Sequence, residues 1–316
     1  MTARRIVQLT AVAAAALLTA CANLAPSHER PAAPVPAAWS QASAGTAAAA
    51  IGWQQLIRDD RLQQTVALAL DNSRSLRQAV LAIAQARAAW QIEDAASLPT
   101  VKLSGGLSAA RTPAEATTSG SVQHSRSISV GLGATAYELD LVGRVRNLKD
   151  AALETYLATG ETARSTRLAL VAEVADAWLT LAADQAQLAL ARETLASQQR
   201  TLALTQQRRD AGADSGLTLV QVQTAVEGAR RDVAALESQV RQDRNALDLL
   251  AGTPVPESLL PSGQTGEAAQ LVEVPAGLSS AVLLQRPDVR AAEHQLQAAN
   301  ADIGSARAAM YPSISI

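Results

Sequence analysis

The chain has 316 residues, 48% hydrophobic and 18% charged, with 27 Lys and Arg against 29 Asp and Glu. That hydrophobic share excludes a disordered polymer, and a net charge of −2 leaves no electrostatic footprint for nucleic acid. Phe is absent, aromatics are 2%, and Ala is abundant, a composition for long, closely approaching helices rather than an aromatic-anchored globule. One Cys and three scattered His (His28, His124, His294) give no disulfide, no multi-Cys metal site and no HExxH spacing, so neither a metal nor a cofactor is expected.

Arg4 and Arg5 precede an apolar run from Ile6 to Leu18, which is the plan of an export signal and too short to span a bilayer. Leu18-Thr19-Ala20-Cys21 then resembles the bacterial lipobox, in which the Cys is acylated and becomes the new N-terminus; a plain signal peptide with an incidental Cys is the alternative. Lipidation at Cys21 would anchor the chain more firmly than one acyl chain could. Ala22, with no Asp at that position, points to sorting to the outer membrane, and the Pro- and Ala-rich stretch from Ala25 to Ala50 reads as an extended tether.

From Asp59 to Ser97 the apolar spacing (Leu62, Val66, Leu70, then Leu76, Val80, Ile83) is helical, broken with an N-cap at Asp71-Asn72-Ser73 and closed by Pro99. Period-two alternation follows in Thr100–Ala110 and Ser127–Ala136, with a polar loop from Arg111 to Arg126 between them. Those runs have the length and dyad pattern of membrane-spanning strands, but a half-buried soluble hairpin looks the same. Only Tyr137 lies near a strand end, so an interfacial aromatic girdle is missing.

Val174, Leu181, Leu188, Leu195 and Leu202 recur every seven residues; past Gly216 the apolar positions step by three and four to Leu250, with Asp243 the interruption. This 3.5-residue period predicts an antiparallel coiled coil. As one helix, Asn147 to Arg209 reaches roughly 95 Å. Between the two runs, Arg208-Arg209-Asp210-Ala211-Gly212-Ala213-Asp214-Ser215-Gly216 is a tight reversal with Ser215 able to cap the returning helix. It is read either as a turn alone or as an exposed tip where a partner docks. Gly252 and Pro254 stop the second helix.

Ser75–Leu103 aligns with Asp288–Ile316 at a constant offset of 213, through Arg77/Arg290, Ala86/Ala299, Ala95/Ala308 and Pro99/Pro312. The first copy continues into a hairpin and two long helices, and the second stops in its strand, so the expectation is a form shortened at its C-terminus from a longer, duplicated protein.

Tyr137-Glu138-Leu139-Asp140-Leu141-Val142-Gly143-Arg144, Leu170-Val171-Ala172-Glu173-Val174-Ala175, Gly212-Ala213-Asp214-Ser215-Gly216-Leu217, Asn245 to Gly252 and Arg286-Pro287-Asp288-Val289-Arg290 are the residues of a family resemblance. The chain resembles the TolC-like outer membrane factor family, and within it the lipidated OprM/NodT-type branch. The fold implied is mainly α with a β-hairpin: long antiparallel coiled-coil helices of an α-barrel plus transmembrane β-barrel strands, here incomplete. Residues 1–20 become the signal peptide, 21–50 the lipid-anchored tether and 51–98 the N-terminal helices. Residues 99–140 become a transmembrane hairpin with an extracellular loop, 141–252 a periplasmic helical hairpin, 253–286 an equatorial linker, and 287–316 the start of the second repeat.

The resemblance implies a homotrimer in the outer membrane that extends into the periplasm and exports drugs, toxic compounds or metal ions. It would do so as a passive conduit with a periplasmic adaptor and an inner-membrane pump, without catalysis. Arg208, Gly212, Ser215 and Leu219 fall where adaptors dock in the family, and Asp210 and Asp214 where tip charges close the tunnel. Val142 and Arg209 stand where an aromatic is common, and Tyr311 where relatives often carry Phe. Three copies of one hairpin give six strands, fewer than the smallest single-chain barrels, so no conducting pore is expected from this form by itself. The alternative function is a periplasmic adaptor lipoprotein, which also carries a lipobox and a coiled-coil hairpin. An enzyme is a more distant reading, because Glu138, Asp140, Glu173 and Asp176 form no nucleophile and base pair with usable spacing.

Overall fold

In the computed structural model, residues 23–31, 52–116, 118–134, 137–262, 272 and 280–315 are described. Cys21 and the 1–20 segment lie outside them, as do most of the tether and most of 263–279. A single turn, α1 (Trp53–Leu56), precedes α2 (Asp60–Asn72). Asp59 caps α2 by accepting from the amides of Arg61 and Leu62, two of the donors a helix start leaves unpaired. Ser73 ends α2 and serves the next helix, α3 (Arg74–Ala95), by accepting from the Leu76 amide at 3.3 Å. The break expected at Asp71-Asn72-Ser73 is therefore one residue wide.

Two strands follow, β1 (Val101–Thr112) and β2 (Gln123–Ala134), paired antiparallel from Val101↔Ala134 to Thr112↔Gln123. Both extend further into the polar segment than the alternation predicts. Backbone pairing does not require apolar side chains, so the ladder runs on through Arg111↔His124 until Pro113, which has no amide to donate. A two-residue strand, β3 (Glu138–Leu139), leads into α4 (Arg144–Asp210), a helix of 67 residues with no proline in it. The return helix α5 (Gly216–Ala251) ends where Gly252 takes the left-handed conformation at φ 72°. After it come α6 (Pro287–Ala308) and β4 (Ile314–Ser315), which pairs with β3 through Leu139↔Ile314 and Glu138↔Ser315. The sequence repeat is structural: α3 and α6 both have 22 residues, and their bounds differ by the same 213 positions that relate the sequences.

The chain divides into two units. In the unit formed by residues 32–82 and 160–290, the core joins Ile57, Leu62, Val66 and Ala69 to Val171, Val174, Trp178 and Leu181 of α4 and to Leu247 and Ala251 of α5. Trp178 is 1% exposed, and its indole N–H donates to the Leu259 carbonyl at 2.9 Å, so the largest core side chain has its polar atom satisfied. Of the heptad residues, Val174, Leu181 and Leu188 are buried, and Leu195 and Leu202, nearer the reversal, are half-buried.

The other unit comprises residues 1–31, 83–159 and 291–316 and carries the strands. Here Trp90 stacks on Tyr156 with centroids 6.3 Å apart, and residues 23–31 run antiparallel to α6. Leu24 offers its carbonyl to Arg307, His28 meets Asn300, and Arg30 pairs with Glu293.

Candidate functional site

Two surfaces present chemistry that the core does not consume. The first is the reversal between α4 and α5. Here the Ala213 amide donates to the Arg208 carbonyl and the Gly212 amide to the Arg209 carbonyl, both at 2.8 Å, the paired bonds of a Schellman ending. Gly212 sits at φ 77°, which is why a glycine is needed at that step. Ser215 then opens α5, its hydroxyl accepting from the Thr218 amide at 3.1 Å.

Arg208 reaches Asp214 at 3.1 Å across the turn, and the Gln206 amide holds Asp210 at 3.0 Å. The six tip residues singled out by sequence thus sit in one turn, but they differ in accessibility. Asp210, Gly212 and the Arg208 side chain are exposed, whereas the Asp214 side chain is 19% and Leu219 is 4% exposed. Leu219 faces into the coiled coil. The exposed apolar side chains at this end are Leu217 at 69%, Val220 at 56% and Leu204 at 56%. Sequence reading passed over them because they are off the heptad seam, which is itself the signal that would have marked them.

The second surface is the strand hairpin. Residues that pair directly across an antiparallel ladder lie on one face, so the register puts Val101, Leu103, Leu107, Ile128, Val130 and Leu132 together. All six are between 68% and 79% exposed. The opposite face carries Lys102, Ser104, Gly106 and Ser108 against Gly133, Gly131, Ser129 and Ser127. A continuous apolar face of this size is not left to water; it marks contact with lipid or protein.

The junction below the hairpin is rigidly polar. Arg144 grips Glu138 with two bonds from one guanidinium edge, Nε to Oε1 at 2.8 Å and Nη2 to Oε2. Asp140 accepts from the Arg146 amide at 2.8 Å and so caps the first turn of α4. Two residues considered as enzyme acids, Glu138 and Asp140, are therefore engaged in holding the strand-to-helix corner. No group of three or more His, Cys, Asp or Glu placed to hold a metal occurs among the described residues.

Comparison with known proteins bears on these surfaces. The family model described as outer membrane efflux protein matches residues 65–253 and 278–316. Over 315 residues the chain is 44% identical to the toluene efflux pump outer membrane protein TtgC of Pseudomonas putida, covering 98% of this chain and 65% of that protein. A solved membrane protein from Pseudomonas aeruginosa superposes with a TM-score of 0.80 at 42% identity, over 93% of this chain and 66% of that one. The open state of the Neisseria gonorrhoeae MtrE outer membrane channel gives 0.73 at 37% identity, over 93% of this chain and 65% of that one. The chain thus spans 65% of the length of its curated relative TtgC.

Proposed function

Because this chain belongs to the outer membrane efflux protein family, we propose that it is the outer-membrane part of a channel that carries small molecules out of the cell. The observation that carries the reading is the β1–β2 register, which gathers the large apolar side chains of the hairpin onto one exposed face, with Arg111, His124 and Arg126 at its loop end, and leaves Lys102 with Ser and Gly on the other. In a barrel wall the apolar face meets lipid and the small polar face meets the lumen. Closure of the barrel requires strands beyond this hairpin, since an open edge is not stable in lipid; a trimer brings three such hairpins, six strands, and a barrel of the smallest known size needs more.

In this reading the segment around Pro113–Val122 is extracellular, and α4 and α5 form a periplasmic helical hairpin. Cys21 is lipidated and fixes the tether to the outer membrane. The reversal carrying Arg208, Gly212, Ser215 and Leu219 receives a periplasmic adaptor linked to an inner-membrane pump. Asp210 and Asp214 stand at the tunnel mouth as gate charges. Transport is passive and involves no catalysis.

A charge placed on either face of the hairpin tests the reading. In a Cys21→Ser background, where no lipid anchor holds the chain, Leu103→Arg and Val130→Arg, each costing about 2–4 kcal/mol in the bilayer, are expected to remove the protein from the outer-membrane fraction. Ser104→Arg and Ser129→Arg are expected to leave it there. Equal tolerance of the two faces would refute a lipid-facing hairpin.

A further inference from the structure

The apolar seam between α4 and α5 is interrupted once by an acid, and that acid is met by another. Asp243 occupies an inward position of α5, between Val240 and Leu247 in the three-and-four spacing, and is 9% exposed. One of its oxygens accepts from the Gln239 side-chain amide at 2.8 Å. The other, Oδ2, is buried with no hydrogen-bond partner among the described residues. The group that reaches Asp243 from α4 is the carboxyl of Asp184, half-buried one turn beyond Leu181.

The cations nearby are committed elsewhere or turned outward. Arg192 of α4 pairs with Glu237 of α5 at 2.7 Å, and Arg244 of α5 pairs with Glu257 at 2.5 Å. Arg241 is exposed. From α2, Arg61 is bonded to Asp59 and lies over the Trp178 ring at 5.7 Å. Among the described residues no ion pair includes Asp184 or Asp243.

A carboxylate oxygen can only accept, so two ionised acids would leave Oδ2 orphaned and the charges in repulsion. A single proton resolves both: the Asp184 O–H donates to the Asp243 carboxylate, and the pair carries one negative charge instead of two. We propose that Asp184 and Asp243 share one proton in the folded chain and act as an acid-set clamp between α4 and α5. Burial first, then the hydrogen bond and charge of Asp243, push the Asp184 carboxyl above its ordinary value, in the direction the geometry requires. A carboxyl raised on folding contributes stability that is complete below its unfolded value and is lost as pH rises through its folded value. The clamp therefore tightens in acid and loosens as pH rises.

The test compares thermal unfolding of the full chain in detergent with that of Asp243→Asn and Asp184→Asn, from about pH 8 down to about pH 5. An amide donates to the remaining carboxylate at every pH, so Asp243→Asn is expected to melt several degrees above the wild type at the alkaline end. The gap should narrow towards the acid end, with folding of the wild type taking up more protons over that interval than folding of the variant. Parallel pH profiles would overturn the proposal. A second measurement needs no variant to fold: the infrared C=O stretch of a protonated carboxyl, missing from Asp184→Asn, is expected in the folded wild type above the range in which exposed carboxyls titrate and should vanish as pH rises. Its absence throughout the titration would also overturn the proposal.

Discussion

Helices α3 and α6 are copies of one sequence pattern, yet one is covered and the other is not. α6 buries Ala291, Ala298, Ala301, Gly304 and Ala308. At the equivalent positions α3 has Gln78, Gln85, Ala88, Gln91 and Ala95, all exposed, and no residue of α3 is buried. Three of these five pairs differ in residue type, so the sequence already separates the copies there. At the other two, alanine stands in both, and the neighbours alone decide. What covers α6 is the first turns of α4 together with residues 23–31. Glu154 meets His294 at 2.6 Å, and the Asn147 amide joins the Asn23 side chain at 2.9 Å over the Gly304 position. A small-residue stripe is therefore permissive: it lets backbones approach, but a partner must arrive to use it.

The largest contrast is expected at Gly304, where an added Cβ would lie 2.6 Å from the Asn147 amide nitrogen and 2.8 Å from the Ala25 Cβ. Gly304→Val should destabilise by about 3 kcal/mol through overpacking, and Gln91→Val, its counterpart on α3, by no more than about 0.5 kcal/mol. Chemical denaturation followed by circular dichroism measures both, and equal losses would dissolve the distinction between the two helices.

A sharper comparison uses the same residue in both copies. Ala308 is 1% exposed and Ala95 is open to solvent. Ala308→Leu should cost about 2 kcal/mol and Ala95→Leu less than about 0.5 kcal/mol. A comparable cost at Ala95, read by the same denaturation, would mean that a second copy or a partner covers α3 in the assembled protein.

The smallest effect concerns the segment that lies along α6. The Arg30–Glu293 pair is 2.5 Å long, but its side chains are 53% and 24% exposed. Arg30→Ala should therefore cost at most about 1 kcal/mol, and less in high salt, where exposed charges are screened. Melting curves at two ionic strengths check it. A larger, salt-independent loss would assign the segment a greater share of the coverage of α6 than this ion pair gives it.

The helices were legible because their signals are local. A seven-residue repeat, a proline-free interval and a Gly-Ala-Asp-Ser-Gly reversal each act through neighbouring backbone, and α4, the Gly212 ending and the Ser215 cap appear where those residues stand. The strand ends were less legible because alternation reports on side chains, whereas the ladder depends on backbone amides that polar residues also possess. At the tip, sequence placed Leu219 both on the apolar seam and among the docking residues, and in the structure it is buried in the seam. Leu217 and Val220 took the outer positions.

Periodicity, punctuation and internal duplication were properties of the chain itself: which stretches become helix, where they reverse, and that one unit occurs twice. Each depends on interactions within a few residues or on comparison of the sequence with itself. Tertiary structure alone decided which of the paired alanines is buried, that β4 pairs with β3 while β1 pairs with β2, and that Asp184 meets Asp243 across the seam. Those outcomes join residues far apart in the chain. They are set by which surfaces arrive opposite one another, a matter on which identical alanines carry no information.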